Sequence, residues 1–378
     1  MQKRIKNSIR LSLAATLLLV PFLATNYALS QDDTTSSRAA VKAVADHMLP
    51  VATTARGKGN LPFYCSLDGR PVDLTQPQPT VVRALIIFHG KLRNADVYNR
   101  SGLEAVKTAG ESGKGTLLIT PQFLSQEDVA AFHLPPSVLR WGPEEWMAGD
   151  NALNGGPSSF DAIDAILALL ADRQTFPNLK TAVLAGHSGG GQVMQRYAVV
   201  GRGGDALIHA GVHVRYVIAN PSSYVYFSPE RPVLNPKGDF TFALPAKSCY
   251  GKYDLWKYGV NQPPPYVGDD NFKSLEDRYL RRDVVYLLGT NDVDPNHPAL
   301  DKTCAGEDEG PYRFFRGKAY FRYMELRHPE LAQDSASQKL WFVPGVEHDG
   351  DKMLNSPCGL AALFNLGSCK TRVLDPKP

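Results

Sequence analysis

Ala182-Val183-Leu184-Ala185-Gly186-His187-Ser188-Gly189-Gly190 is followed at once by the stretch 191–199, Gly-Gln-Val-Met-Gln-Arg-Tyr-Ala-Val. The first four residues read as a strand with both faces buried, because an unbroken apolar run leaves no side for water. The residues from 191 onward read as a helix. A Gly-x-Ser-x-Gly pattern set between strand and helix predicts a sharp, strained turn that presents Ser188 at its tip. The glycines follow from sterics, since a Cβ at those places would meet neighbouring backbone. The local unit is therefore strand, tight turn, helix, which is a building block of a parallel sheet.

Outward from this unit, similar apolar runs recur at 81–88, 116–120, 214–219, 284–288 and 340–343, separated by helical or loop segments. That alternation predicts an α/β fold with a doubly wound, mostly parallel sheet. One intervening helix is specified in detail. Ser158 and Asp161 make a capping box, and Phe160, Ile163, Ile166, Leu167 and Leu170 recur at helical spacing. Residues 31–80 are polar and rich in Ala, Thr, Pro and Gly, and read as an N-terminal extension laid on the main body, with a helix at 38–48. Residues 221–282 show little periodicity and many aromatics, including Tyr224, Tyr226, Trp256 and Tyr258, and read as a cap inserted between the sixth and seventh core strands. Those aromatics serve equally well as a small core of the segment itself.

A serine hydroxyl is a weak nucleophile near neutral pH and needs a base, usually a histidine oriented by a carboxylate. When the serine follows a strand in this way, the acid and then the histidine come later in the chain. Of the downstream histidines only His348 directly follows a late strand, in Trp341-Phe342-Val343-Pro344-Gly345-Val346-Glu347-His348. The acid is Asp292, three residues past Gly289, which ends the run 284–288; Asp294 is the alternative, though it is also placed to bond its own turn. The preceding strand ends at Asn220, which is not an acid. Donors for a developing oxyanion are the backbone N–H of Gly189 and a second from Phe88-His89-Gly90-Lys91-Leu92, through Lys91 or alternatively Leu92.

Taken together and in order, the strand with His89-Gly90, the turn 186–190, Gly289-x-x-Asp292 and His348 resemble the α/β-hydrolase superfamily, and among its members the secreted esterases and polyester depolymerases. The resemblance spans about residues 81–364. It implies an eight-stranded sheet, a Ser188, His348, Asp292 triad, and neither metal nor organic cofactor. It further implies hydrolysis of a small-molecule or polymeric ester through an acyl-enzyme. A peptidase or amidase on the same triad, and a non-catalytic binding protein of this fold, are the alternatives. The implied domain plan is a catalytic domain at 81–378 that includes the segment 221–282.

Composition narrows the remaining classes. Forty-one Lys and Arg against 38 Asp and Glu give a net charge of +3, with no long basic stripe, so nucleic acid is not an expected partner. Lys3, Arg4, Lys6 and Arg10 precede an apolar run at 11–24 and the small residues Ala28-Leu29-Ser30, which reads as a secretory signal peptide over 1–30. The run is shorter than the roughly 20 residues that span a bilayer, so no stable membrane insertion is expected after cleavage, and the mature chain is secreted or periplasmic. Five cysteines in an oxidising compartment leave at least one free or intermolecular thiol. Spacing alone fixes no pairing; Cys358 with Cys369 and Cys249 with Cys304 are the preferred loops. Gly110-Glu111-Ser112-Gly113-Lys114 has neither the spacing nor the preceding strand of a phosphate loop, and Asp292-x-Asp294-x-Asn296 lacks the glycine and the closing glutamate of a calcium loop.

Overall fold

The computed structural model describes residues 38–245, 249–333 and 337–369, all within the compact unit Gln31–Pro378. The leader read at 1–30 lies outside the described residues. Eight strands form one sheet: β1 His47–Thr53, β2 Gly57–Leu67, β3 Arg83–Phe88, β4 Thr116–Pro121, β5 Thr181–His187, β6 His213–Ala219, β7 Asp283–Gly289 and β8 Gln338–Val343. Their spatial order is β1-β2-β4-β3-β5-β6-β7-β8. The pairs β1/β2 and β2/β4 are antiparallel and all others parallel.

Alternation along the strands divides the core in two. Ala84, Ile86 and Phe88 of β3 face the larger layer, with Phe160, Ile163 and Leu167 of helix α2 (Ser159–Ala171), Val193 and Tyr197 of α3 (Gly189–Val200), and Tyr320 and Met324 of α5 (Arg313–Arg327). Leu85 and Ile87 face the other side, against Tyr98 and Ala105 of α1 (Ala95–Thr108), Met353 of α6 (Gly350–Asn355) and Leu363 of α7 (Pro357–Phe364). The central strands are therefore apolar on both faces, which is why they read as unbroken runs.

Two expectations are corrected. Within the stretch read as an extension laid on the body, residues 47–53 and 57–67 form β1 and β2 of the sheet, and no helix forms at 38–48 among the described residues. The prolines and glycines there suggested loop, yet Pro50 sits on the edge strand, where one side of the ladder is open. Pro62 lies just outside the Phe63–Leu67 stretch that pairs with β4. The β1–β2 turn is pinned by Arg56, whose Nε and guanidinium nitrogen donate to the two oxygens of Asp161 at 2.7 and 2.6 Å. Asp161 also accepts from the Ser158 backbone at 2.8 Å, completing the capping box that starts α2.

The segment 221–282 does fall between the sixth and seventh strands, and it carries a hairpin, Arg231–Leu234 with Phe240–Ala243, and helix α4 (Phe272–Leu280). Tyr224, Tyr226, Tyr266 and Tyr279 join the main core rather than a core of their own. Disulfides Cys249–Cys304 and Cys358–Cys369 tie this segment to the stretch after β7 and close the last helix. Cys65 stays a free thiol on β2, pushed up to about 12 by burial. Among the described residues no helix is long and apolar enough to cross a membrane.

Candidate active site

Four of the parallel strands deliver the site from their C-terminal ends, the edge at which open α/β sheets gather their ligands. β5 leads into Ser188, which holds φ 57° and ψ −118° and starts α3. That strained geometry is kept by the surroundings: Ser188 N–H donates to Ala219 O at 3.0 Å, and the turn is packed too closely for side chains. A Cβ on Gly186 would lie 2.2 Å from Gly190 O, and one on Gly190 would lie 2.3 Å from Phe88 O.

The loops after β7 and β8 are stitched to each other. Thr290 N–H donates to Val343 O and Asn291 N–H to Val346 O, both at 3.0 Å, and Gly345 N–H donates to Thr290 Oγ1 at 2.8 Å. The result is a hydrogen-bonded line of three side chains. His348 Nε2 is 2.9 Å from Ser188 Oγ, and His348 Nδ1 is 2.7 Å from Asp292 Oδ2. All three are buried, and residues more than 50 positions apart in sequence meet only because the sheet order brings β5 and β7 to either side of β6. Asp294, the alternative acid, is exposed and accepts the Asn296 N–H at 2.8 Å, so it caps its own turn.

Burial sets the electrostatics. It pushes the His348 imidazole well below its ordinary 6.5, and the neighbouring Arg313, His297 and Lys91 push it further down. Burial raises the Asp292 carboxyl, against the opposing pull of Arg313. Arg313 lies 3.4 Å from Asp292 Oδ1 and donates through Nε to Ser222 Oγ at 2.9 Å. It holds the carboxylate from the side away from His348.

Two backbone donors lie beside the serine. A Cβ placed on Gly189 would come within 2.8 Å of Lys91 N, so the two peptide units are in close approach and only glycine permits it. Neither the Gly189 N–H nor the Lys91 N–H has an acceptor among the described residues. The Lys91 side chain reaches Pro298 O at 3.4 Å. The loop that carries Lys91 is fixed by His89, which is fully buried and held at about 4, chiefly by burial. Its Nε2 accepts the Phe123 N–H at 3.0 Å, which leaves Nδ1 to donate to Gly90 O at 2.8 Å.

Three groups at the site had not been singled out. Arg313 carried a readable signal: it stands on the buried face of α5 with Arg316, Gly317, Tyr320 and Met324, where charge is set among apolar residues. His187 and His297 carried none. Their rings lie 4.5 and 4.9 Å from that of His348, and His187 Nδ1 is 3.1 Å from the Tyr98 hydroxyl, contacts set wholly by tertiary packing.

Sequence comparison finds no family model that matches the chain, and none of the curated proteins matches it. Solved structures do resemble it. Poly(aspartic acid) hydrolase-1 of Sphingomonas sp. KT-1 matches with a TM-score of 0.52 at 20% identity, over 82% of this chain and 95% of that one. The poly(3-hydroxybutyrate) depolymerase LpqC of Bordetella parapertussis matches with a TM-score of 0.53 at 18% identity, over 85% of this chain and 91% of that one. At these identities the likeness is one of architecture, and the architecture is the α/β-hydrolase fold.

Proposed function

We propose that the chain is a serine hydrolase that cleaves carboxylic esters through an acyl-enzyme, with Ser188, His348 and Asp292 as its triad. The observation that carries this reading is the continuous line of hydrogen bonds from Ser188 Oγ through both His348 nitrogens to Asp292, beside two backbone N–H groups without acceptors among the described residues. His348 Nε2 takes the hydroxyl proton as Ser188 Oγ attacks the acyl carbon. The oxygen of that carbonyl becomes an oxyanion held by the Gly189 and Lys91 N–H groups. His348 then returns the proton to the departing alkoxide, and water, activated by the same ring, releases the acid. Asp292 keeps the Nδ1 proton in place and stabilises the imidazolium.

Of the two similar structures, the depolymerase is named for poly(3-hydroxybutyrate), a polyester, and we extend small-molecule or polymeric esters to this chain. The other is named for poly(aspartic acid), which is joined by amide bonds, so amide hydrolysis on the same triad is the second reading. Export to an oxidising compartment is part of the proposal, supported by the leader at 1–30 and by the two disulfides.

The test is turnover of p-nitrophenyl esters from acetate to laurate by purified mature protein. Saturable hydrolysis is expected, and the chain-length optimum separates esterase from lipase behaviour. Folded protein that turns over none of them, or only a peptide amide, contradicts the ester reading. The pH profile adds a second expected result. A base whose pKa is lowered stays deprotonated to more acid pH, so kcat/KM is flat through neutrality and its acid limb falls below 6.5. A limb at or above 6.5 contradicts the assignment of the buried His348 as base.

A further inference from the structure

One turn beyond Ser188 on α3, Gln192 sits on the same helix face as the serine, and its backbone N–H donates to Ser188 O at 3.0 Å. Side chains on a helix lean toward its N-terminus, so the Gln192 amide leans toward the serine. It is not there to fill space. Its Oε1 accepts from Arg196 and from the Ser223 hydroxyl, both at 3.0 Å, while Arg196 also donates to Ser223 Oγ at 2.8 Å and to Met147 O at 2.9 Å. Arg196 can only donate, which settles which end of the amide is oxygen. Arg196 and Ser223 are fully buried, so the amide is held in one orientation.

That leaves Nε2 facing the other way. It has no acceptor among the described residues and is not fully buried, on a side chain that is 6% exposed. A buried arginine thus clamps the amide oxygen and leaves the amide N–H groups without an acceptor among the described residues, one helical turn from the serine. The leaving group must face His348, which protonates it, whereas Arg196, which clamps Gln192, also donates to the backbone oxygen of Met147, and Met147 Sδ and Lys91 N both lie 2.8 Å from a Cβ built on Gly189, on the oxyanion side.

We propose that Gln192 is a specificity-determining residue that donates a hydrogen bond to an oxygen on the acyl chain of the substrate. The class it selects is an acyl group carrying an acceptor, such as an ether, a second ester or an amide carbonyl, over a plain alkyl chain. This rests on the ester-hydrolase reading above.

The test uses matched p-nitrophenyl ester pairs that differ by one CH₂ replaced with oxygen: methoxyacetate against butyrate, and 3-methoxypropanoate against pentanoate. The readout is the ratio of kcat/KM within each pair, for wild type, Gln192→Glu and Gln192→Leu. Glu keeps an oxygen for Arg196 and Ser223 but removes the N–H donor; Leu removes both. In at least one pair both variants lower the ratio by about tenfold, the size expected for one lost hydrogen bond to a buried acceptor. General damage to the site lowers both members alike and cancels in the ratio. Ratios unchanged in Gln192→Glu overturn the inference while leaving the hydrolase reading intact. If wild type hydrolyses neither member of any pair, it is the hydrolase reading that fails.

Discussion

Ser188→Ala lowers kcat/KM for a p-nitrophenyl ester by about 10⁵–10⁶, and adding His348→Ala to it deepens the loss hardly at all. The reason is the single hydrogen bond of 2.9 Å between Ser188 Oγ and His348 Nε2. An imidazole without the hydroxyl has no proton to accept, and a hydroxyl without the imidazole is a weak nucleophile, so each removal disables the same step. What remains is the contribution of the Gly189 and Lys91 donors and of substrate binding. Steady-state kinetics of the two single variants and the double variant check this, with circular dichroism showing that each is folded. Losses that multiply in the double variant would mean the two groups act independently, contrary to the geometry.

Asp292→Asn costs about 10⁴ in kcat/KM, because the amide presents N–H to His348 Nδ1 and forces the proton to Nε2, where it blocks acceptance from Ser188. The change also reaches Arg313. With the carboxylate neutralised, a fully buried guanidinium loses the charge it faces at 3.4 Å, so stability falls by on the order of 3 kcal/mol. Thermal unfolding reads the second effect and kinetics the first. Asp294→Asn changes the rate by less than about twofold, since that side chain is exposed and occupied by its own turn. A larger loss at Asp294 than at Asp292 would reverse the assignment.

Much of this arrangement was legible in the chain. The strand, glycine-rich turn and helix around Ser188 form a local pattern, set by sterics over a few residues, and the unbroken apolar runs identify strands buried on both faces. Asp292 and His348 were legible because each directly follows such a run. What escaped were features decided by distant contacts. β1 and β2 contain Pro50, Gly57, Gly59 and Pro62, a loop-like composition that is tolerated because β1 is an edge strand and Pro62 lies outside the β4 pairing. The tyrosines of 221–282 had no period to follow, and only the core shows that they pack under α5 and beside β7. Arg313, His187 and His297 took their places through packing among elements far apart in sequence. A buried arginine beside a carboxylate has no short-range signature beyond a charge set among apolar residues.

The most direct test of the central claim is covalent labelling of the purified protein with a fluorophosphonate, read by intact mass. The account predicts one adduct, on Ser188 by peptide mapping, and none on Ser188→Ala. An unlabelled wild-type protein that still hydrolyses esters, or an adduct that persists in Ser188→Ala, would contradict it.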